Sequence, residues 1–188
     1  MARNCMEETD EQLVRLYLDG NEAVFVVLVD RYMRYLYHFV KQLVSDTALA
    51  EDIVQETFVK IWRNLHRFDD TKSFKTWIFA IAKNTAYDAL KKKKALPFSL
   101  FSDEEGRNML DNITDERPDA GDVLDQEATA RDLAEKLTML APIYRSLLSL
   151  HYQEHFTLHE IADILGEPYN TVKSRHQRAL QSLRATFR

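Results

Sequence analysis

FTLHEIADILGEPYNTVKSRHQRALQSL, residues Phe156–Leu183, reads as two helices and the turn between them. Thr157-Leu-His-Glu160 has the spacing of a capping box, in which the threonine side chain and the glutamate three residues on satisfy each other's backbone N–H groups. Ile161, Ala162 and Leu165 then supply an apolar face, and Gly166 ends the helix in the place where a left-handed residue is needed. Glu167-Pro168-Tyr169 turn the chain, and Asn170 is the expected cap of the second helix. Ala162 is small where the two helices should cross, and Val172 packs the second back on the first. With Val172, Ala179, Leu183 and Phe187 inward, Thr171, Lys173, Ser174, Gln177, Arg178 and Gln181 fall outward or along the flanks. This is the layout of a helix-turn-helix whose second helix reads DNA. Arg and Lys pair with phosphates or guanine edges, and Gln with adenine. The same pattern also fits a helical hairpin whose charged face is simply solvated.

Working back from that motif, Leu133, Ala134, Leu137 and Leu140 form a stripe, and Pro142 opens a further helix in its favoured first turn. These complete a helical unit over residues 128–188. Residues 96–127 change character. They hold Pro97, Gly106, Pro118 and Gly121, with ten Asp and Glu against two Arg over residues 95–127. Low hydrophobicity with high net charge predicts a flexible acidic linker. Before it, residues 8–95 read as another helical domain. Thr9-Asp-Glu-Gln12 is a second capping box. Phe25, Leu28, Val29, Tyr32, Met33, Leu36, Phe39, Val40 and Leu43 make the stripe of a long helix. Ala50, Ile53, Val54, Thr57, Phe58, Ile61, Trp62 and Leu65 make the next, with Glu51, Asp52, Gln55, Glu56, Lys60, Arg63 and Asn64 opposite. After the loop His66–Ser73, capped by Ser73, a last helix turns Trp77, Ile78, Ile81, Ala82, Thr85, Ala89 and Leu90 inward and closes on Lys91–Lys94. Both tryptophans are expected in the core. The fold class is all-α: two small helical domains joined by the linker.

Composition narrows the function. One cysteine, Cys5, permits no intramolecular disulfide, and no apolar run of membrane-spanning length or secretory leader is present in the 188 residues, so a cytoplasmic protein is expected. The net charge of −5 hides two basic blocks: residues 60–94 carry ten Lys or Arg against three acids, and residues 166–188 five against one. Binding follows the local field rather than the sum. His151-Tyr-Gln-Glu-His155 matches an inverted zinc-protease pattern, but the Thr157 cap that follows breaks the helix such a site requires. No metal, no cofactor and no enzymatic activity is expected.

Three stretches together resemble one family. Phe156–Leu183 resembles region 4 of the extracytoplasmic-function sigma factors of the sigma-70 family. Ala50–Leu65, AEDIVQETFVKIWRNL, resembles the region 2 helix that docks on RNA polymerase, and Ser73–Lys94, SFKTWIFAIAKNTAYDALKKKK, the segment that melts and reads the −10 promoter element. The resemblance implies a factor that directs core polymerase to promoters. It places −35 recognition on Thr171, Lys173, Ser174, Gln177 and Arg178. It places the flipped −10 base on Asn84 and Phe68, with Lys72, Lys75 and Lys83 neutralising the separated strand. Asp52, Gln55 and Glu56 become the polymerase contact. It further implies an anti-sigma factor, often membrane-anchored, as partner, and a linker threaded through the polymerase.

Two other readings stay open on sequence grounds: a stand-alone helix-turn-helix regulator, and a sigma mimic that sequesters an anti-sigma factor. His176 departs from the family by standing where an apolar residue is usual, and is expected to be buried and hydrogen-bonded.

Overall fold

The structure, a computed structural model, describes residues 7–44, 46–92 and 126–187, with side chains from 132 onward in the last stretch. These residues form helices α1 (Asp10–Leu18), α2 (Val24–Leu43), α3 (Thr47–Asn64), α4 (Phe74–Lys92), α5 (Gln126–Met139), α6 (Pro142–Leu148), α7 (Leu158–Leu165) and α8 (Tyr169–Ala185), with no strand among them. The all-α expectation stands. Lys93, Lys94 and linker residues 96–125 lie outside the described residues, whereas Gln126 and Glu127, read as linker, begin α5.

Local signals place the helix ends. Thr9 Oγ1 accepts from Gln12 N at 3.3 Å while the Gln12 side chain accepts from Thr9 N at 2.8 Å. Asp46 caps α3 by accepting from Leu49 N, and Ser73 Oγ accepts from Thr76 N at 3.2 Å. The Asp10 carboxylate then ties α1 to α2 by taking hydrogen bonds from Arg31 and the Tyr32 phenol. Burial, reinforced by that carboxylate, raises the Tyr32 pKa well beyond its ordinary value.

Leu28, Leu36, Phe39 and Val40 of α2 meet Ala50, Ile53, Val54 and Ile61 of α3 and Phe74, Ile78, Ala82 and Ala86 of α4, all buried. Each fully buried large side chain contributes roughly 1.5–3 kcal/mol relative to exposure. Two expected core residues face water instead: Met33, and Trp62 at 51% exposure. Each follows a buried residue, Tyr32 and Ile61, by one step, and one step turns a helix by about 100°, off the stripe.

The C-terminal unit begins with α5, where Leu140 is buried but Leu133 and Ala134 are exposed, so only the end of that stripe turns inward. Pro142 occupies the first turn of α6, as expected. α6 then runs into a wider π-helical turn, Ser149–Gln153. The capping box of α7 is complete, with Thr157 and Glu160 bonded both ways, and Gly166 ends that helix at φ +68°. Asn170 does not cap α8. The helix starts earlier, directly after Pro168, whose ring-fixed φ of −59° and missing N–H suit a helix entrance. Phe187, expected inward, is half exposed and carries Lys136 Nζ 3.8 Å from its ring centre.

The two helical units pack together. α6 lies against α2, α7 lies against α4, and the buried side chains of both units form one continuous cluster. Phe79 is the joint: its ring sits 5.3 Å from Phe39 within the first unit and 5.0 Å, edge-on, from Phe156 of the second.

Candidate nucleic-acid interface

Where α4 crosses α3, Lys60, Asn64, Arg67, Trp77, Ile81, Asn84 and Thr85 line an open cleft of about 310 Å³. Trp77 and Ile81 give it an apolar wall. Asn84, exposed on α4, brings an amide to it, the group type that pairs with base edges. The Lys60 ammonium is held 3.1 Å from Glu56 and 3.2 Å from Thr85 Oγ1, with Asp88 at 3.9 Å. Asn64 Nδ2 donates to the Lys60 carbonyl at 2.8 Å. An apolar wall with a few convergent polar groups is what a base taken out of its stack requires. Lys60, Asn64 and Arg67 were absent from the expected site. Lys60 and Asn64 read as part of a solvated helix face and Arg67 as a loop residue, and only the crossing of α4 makes them the side of a cleft.

Phe68 does not line the cleft. It packs on Phe74 and on Trp77, at 5.3 Å from each ring centre, and so braces the cleft's aromatic wall. Lys72 faces solvent, 4.0 Å from Asp69. Lys75 and Lys83, expected on the separated strand, face the second unit. Lys75 Nζ donates to the backbone carbonyl of Glu154 at 2.6 Å, lies 3.6 Å from its carboxylate and stands 4.5 Å from the Phe156 ring centre. Glu154 is only 6% exposed, and its Oε2 has no hydrogen-bond partner among the described residues. Burial pushes its carboxyl pKa up, and the Lys75 charge pulls it part of the way back. Lys83 Nζ lies 5.4 Å from the Tyr87 ring centre and 3.9 Å from where a β-carbon on Gly166 would sit. Burial lowers its pKa, against the pull of the Glu167 carboxylate.

On α8 the polar flank is available. Lys173 and Ser174 are exposed, and Thr171, Gln177 and Arg178 are half-buried. Ser174 Oγ donates to the Thr171 carbonyl and Arg178 Nε to that of Ser174, at 3.0 and 3.4 Å. Arg175 is buried, 3% exposed, and pairs with Glu167 at the helix-turn-helix corner. The signal for it was present, since Val172, Arg175 and Ala179 follow the three-and-four step of the inward face. His176 is half-buried and not hydrogen-bonded through Nε2 among the described residues. It lies edge-on to His151 and stacks on Tyr152, with centres 5.0 and 5.8 Å away. The Tyr152 and His151 rings take up the space that a hydrogen-bonding partner was expected to fill. Burial, and secondarily His151, lowers the His176 pKa. His151 Nδ1 is engaged with the Phe156 carbonyl at 2.8 Å and His155 adopts φ +60°, so these two histidines share no helix face.

Asp52, Gln55 and Glu56 are exposed on α3. Val59 and Trp62, also exposed, continue the row of Asp52 and Gln55, while Glu56 turns to Lys60.

A lysine-bearing helix beside an amide-lined cleft, packed with a helix-turn-helix whose polar flank is open, is an arrangement suited to recognising DNA. Residues 28–96 match the family described as Sigma-70 region 2, and residues 130–183 match Sigma-70, region 4. The chain is similar to the ECF RNA polymerase sigma factor SigW of Bacillus subtilis, 30% identical over 97% of this chain and 99% of that protein. It is also similar to the RNA polymerase sigma-H factor of Pseudomonas aeruginosa, 31% identical over 94% and 93%. The solved structure of RpoE from Bartonella quintana, in complex with the anti-sigma factor NepR, superposes with a TM-score of 0.62 at 25% identity, over 87% of this chain and 96% of that one. CnrH, solved with the cytosolic domain of CnrY, gives 0.66 at 23% identity, over 96% and 97%, and shares the fold. The chain belongs to the extracytoplasmic-function group of the sigma-70 family.

Proposed function

We propose that this chain is a promoter-specificity factor: it binds bacterial core RNA polymerase, recognises the −35 duplex with α8 and captures a −10 base in the α3–α4 cleft. The carrying observation is the presence in one chain of an amide-bearing cleft beside a basic helix and a separate helix-turn-helix with its polar flank open. Thr171, Lys173, Ser174, Gln177 and Arg178 take the −35 element. Asn84 takes the base, with Phe68 supporting Trp77 and with Lys72, Lys75 and Lys83 serving the strand. Asp52 and Gln55 dock on polymerase, and the neighbouring unpartnered Val59 and Trp62 supply the apolar area such a contact needs. Glu56 contributes at the edge of that face while holding Lys60.

The factor is not itself an enzyme and acts in the cytoplasm, where its polymerase is; no helix among the described residues is long and apolar enough to cross a membrane. An anti-sigma factor is its second partner, a reading supported by the relative solved with NepR. The test is transcription in vitro with purified chain, core polymerase and fragmented host DNA. Discrete starts sharing two upstream elements, lost with Asn84→Ala and Arg178→Ala, are the expected result. No core binding and no starts would return the weight to a stand-alone regulator or a sigma mimic.

A further inference from the structure

The entrance of α8 carries side chains that the fold leaves uncommitted. The imidazole of His159, second residue of α7, lies flat on the phenol ring of Tyr169, first residue of α8. Their ring centres are 4.0 Å apart and their planes 14° from parallel. His159 is exposed, and neither its ring nitrogens nor the Tyr169 hydroxyl has a hydrogen bond among the described residues. Asn170, which does not cap the helix, likewise presents its amide to solvent.

Two rows of α8 start here. Residues four apart share a helix face, so Tyr169 leads to Lys173 and Gln177, and Asn170 to Ser174 and Arg178. The residues proposed to read the −35 duplex continue the rows that Tyr169 and Asn170 begin. A helix that places its first turns in the major groove brings flanking phosphates to its leading end.

The surroundings favour a cation at this end. Neutral aromatic rings settle with centres roughly 4.5–7 Å apart, whereas an imidazolium is drawn onto the electron-rich face of a phenol. The closer stack of His159 on Tyr169 suits the charged ring. Two nearby acids are committed elsewhere: Glu160 is bonded to the Thr157 N–H and hydroxyl, and Glu167 pairs with Arg175. Asp163, one turn on along α7, is exposed, and Lys173, on the row of Tyr169, adds an exposed ammonium. From α4, Lys83 stands over the Gly166 turn. From the π turn and its exit, His151 is bonded to the Phe156 carbonyl and Glu154 faces Lys75.

We propose that His159, seated on Tyr169, is a phosphate contact at the leading edge of the −35 interface and makes that contact as an imidazolium, so that binding of the duplex takes up a proton. The proposal rests on the reading of α8 as the −35 helix; it adds a residue from α7 and a dependence on pH.

The experiment measures holoenzyme affinity, at pH 6 and pH 8, for a duplex that carries the −35 element and ends upstream of the −10 element. The wild type is expected to bind about fivefold more tightly at pH 6, the gain from a contact that a histidine makes only when charged. His159→Gln should lose that gain and match the wild type at pH 8. At pH 6 its salt dependence should be shallower by about one phosphate contact. His159→Lys carries its charge at both values and should bind tightly at both, and Tyr169→Leu, which removes the platform, should reduce the gain.

A residue that merely shaped the turn would change affinity equally at pH 6 and pH 8. That result, a wild type without the gain, or a gain that survives in His159→Gln would overturn the proposal. Arg178→Ala separates it from the reading on which it rests. Loss of affinity in Arg178→Ala, with His159→Gln like the wild type at both pH values, keeps α8 on the −35 element and removes His159 alone. No effect of Arg178→Ala overturns both.

Discussion

α4 and α8 are both basic helices, yet they use their charge in opposite ways. In α8 the exposed Lys173 and Ser174 lie on an open flank, and the cation drawn inside, Arg175, is matched by Glu167. In α4 the arrangement is reversed. Lys75 and Lys83 are turned against another part of the chain, and the exposed polar group at its cleft is the neutral Asn84. A count of charges along a helix gives the strength of the field; packing decides which charges a ligand can reach.

The strongest way to break this contrast is Phe79→Ala. Phe79 touches both units, so its truncation should cost about 3–5 kcal/mol and loosen the joint as well as the first core. Chemical denaturation measures it; an unchanged midpoint would mean that the units do not share a core. Next comes Arg178→Ala, expected to cost about 1–3 kcal/mol in −35 duplex affinity of the holoenzyme, with relaxed preference at one position. In the free chain the corresponding Lys75→Ala change should leave single-strand binding as it was, because that ammonium is engaged by Glu154. Equal effects of the two would erase the contrast between an open and an occupied helix.

The smallest effect concerns pH. In the folded state burial, and secondarily His151, holds the His176 pKa below the ordinary 6.5 expected of an unfolded chain. The unfolded state therefore takes up the proton first, and stability should fall as pH drops through about 6.5 and below. Glu154 acts in the other sense: its raised pKa makes the folded state the better proton acceptor, so acid pH should reinforce the joint. Thermal melting from pH 8 to 5 should show the loss in the wild type and a shallower one in His176→Leu. Identical slopes would show that His176 contributes nothing to it.

Much of this was legible from short-range chemistry. The boxes at Thr9 and Thr157 and the glycine at 166 act within a few residues, and sequence spacing alone identifies them. Asn170 has the chemistry of a cap for α8, but Pro168 starts the helix sooner. The π turn at Ser149–Gln153 carries no compositional mark, since a wider hydrogen-bond step asks for no particular residue type. Lys60 and Asn64 needed the crossing of α4 to become cleft residues. The joint between the units was visible only as two loose ends: Phe79, beside the expected stripe of α4, and Phe156, just before a cap. Each is an apolar ring without a local partner, and their meeting is a long-range event that no spacing rule predicts.

The positions of the two tryptophans have a practical consequence. The chain holds only Trp62 and Trp77. The first is open to water on the face proposed for polymerase, and the second forms the wall of the cleft proposed for the base. The protein thus has a built-in optical reporter for each partner. With Trp77→Phe, a blue shift of the remaining emission marks docking of polymerase on α3. With Trp62→Phe, quenching by a stacked base marks filling of the cleft, so the order of the two events becomes readable without an added label.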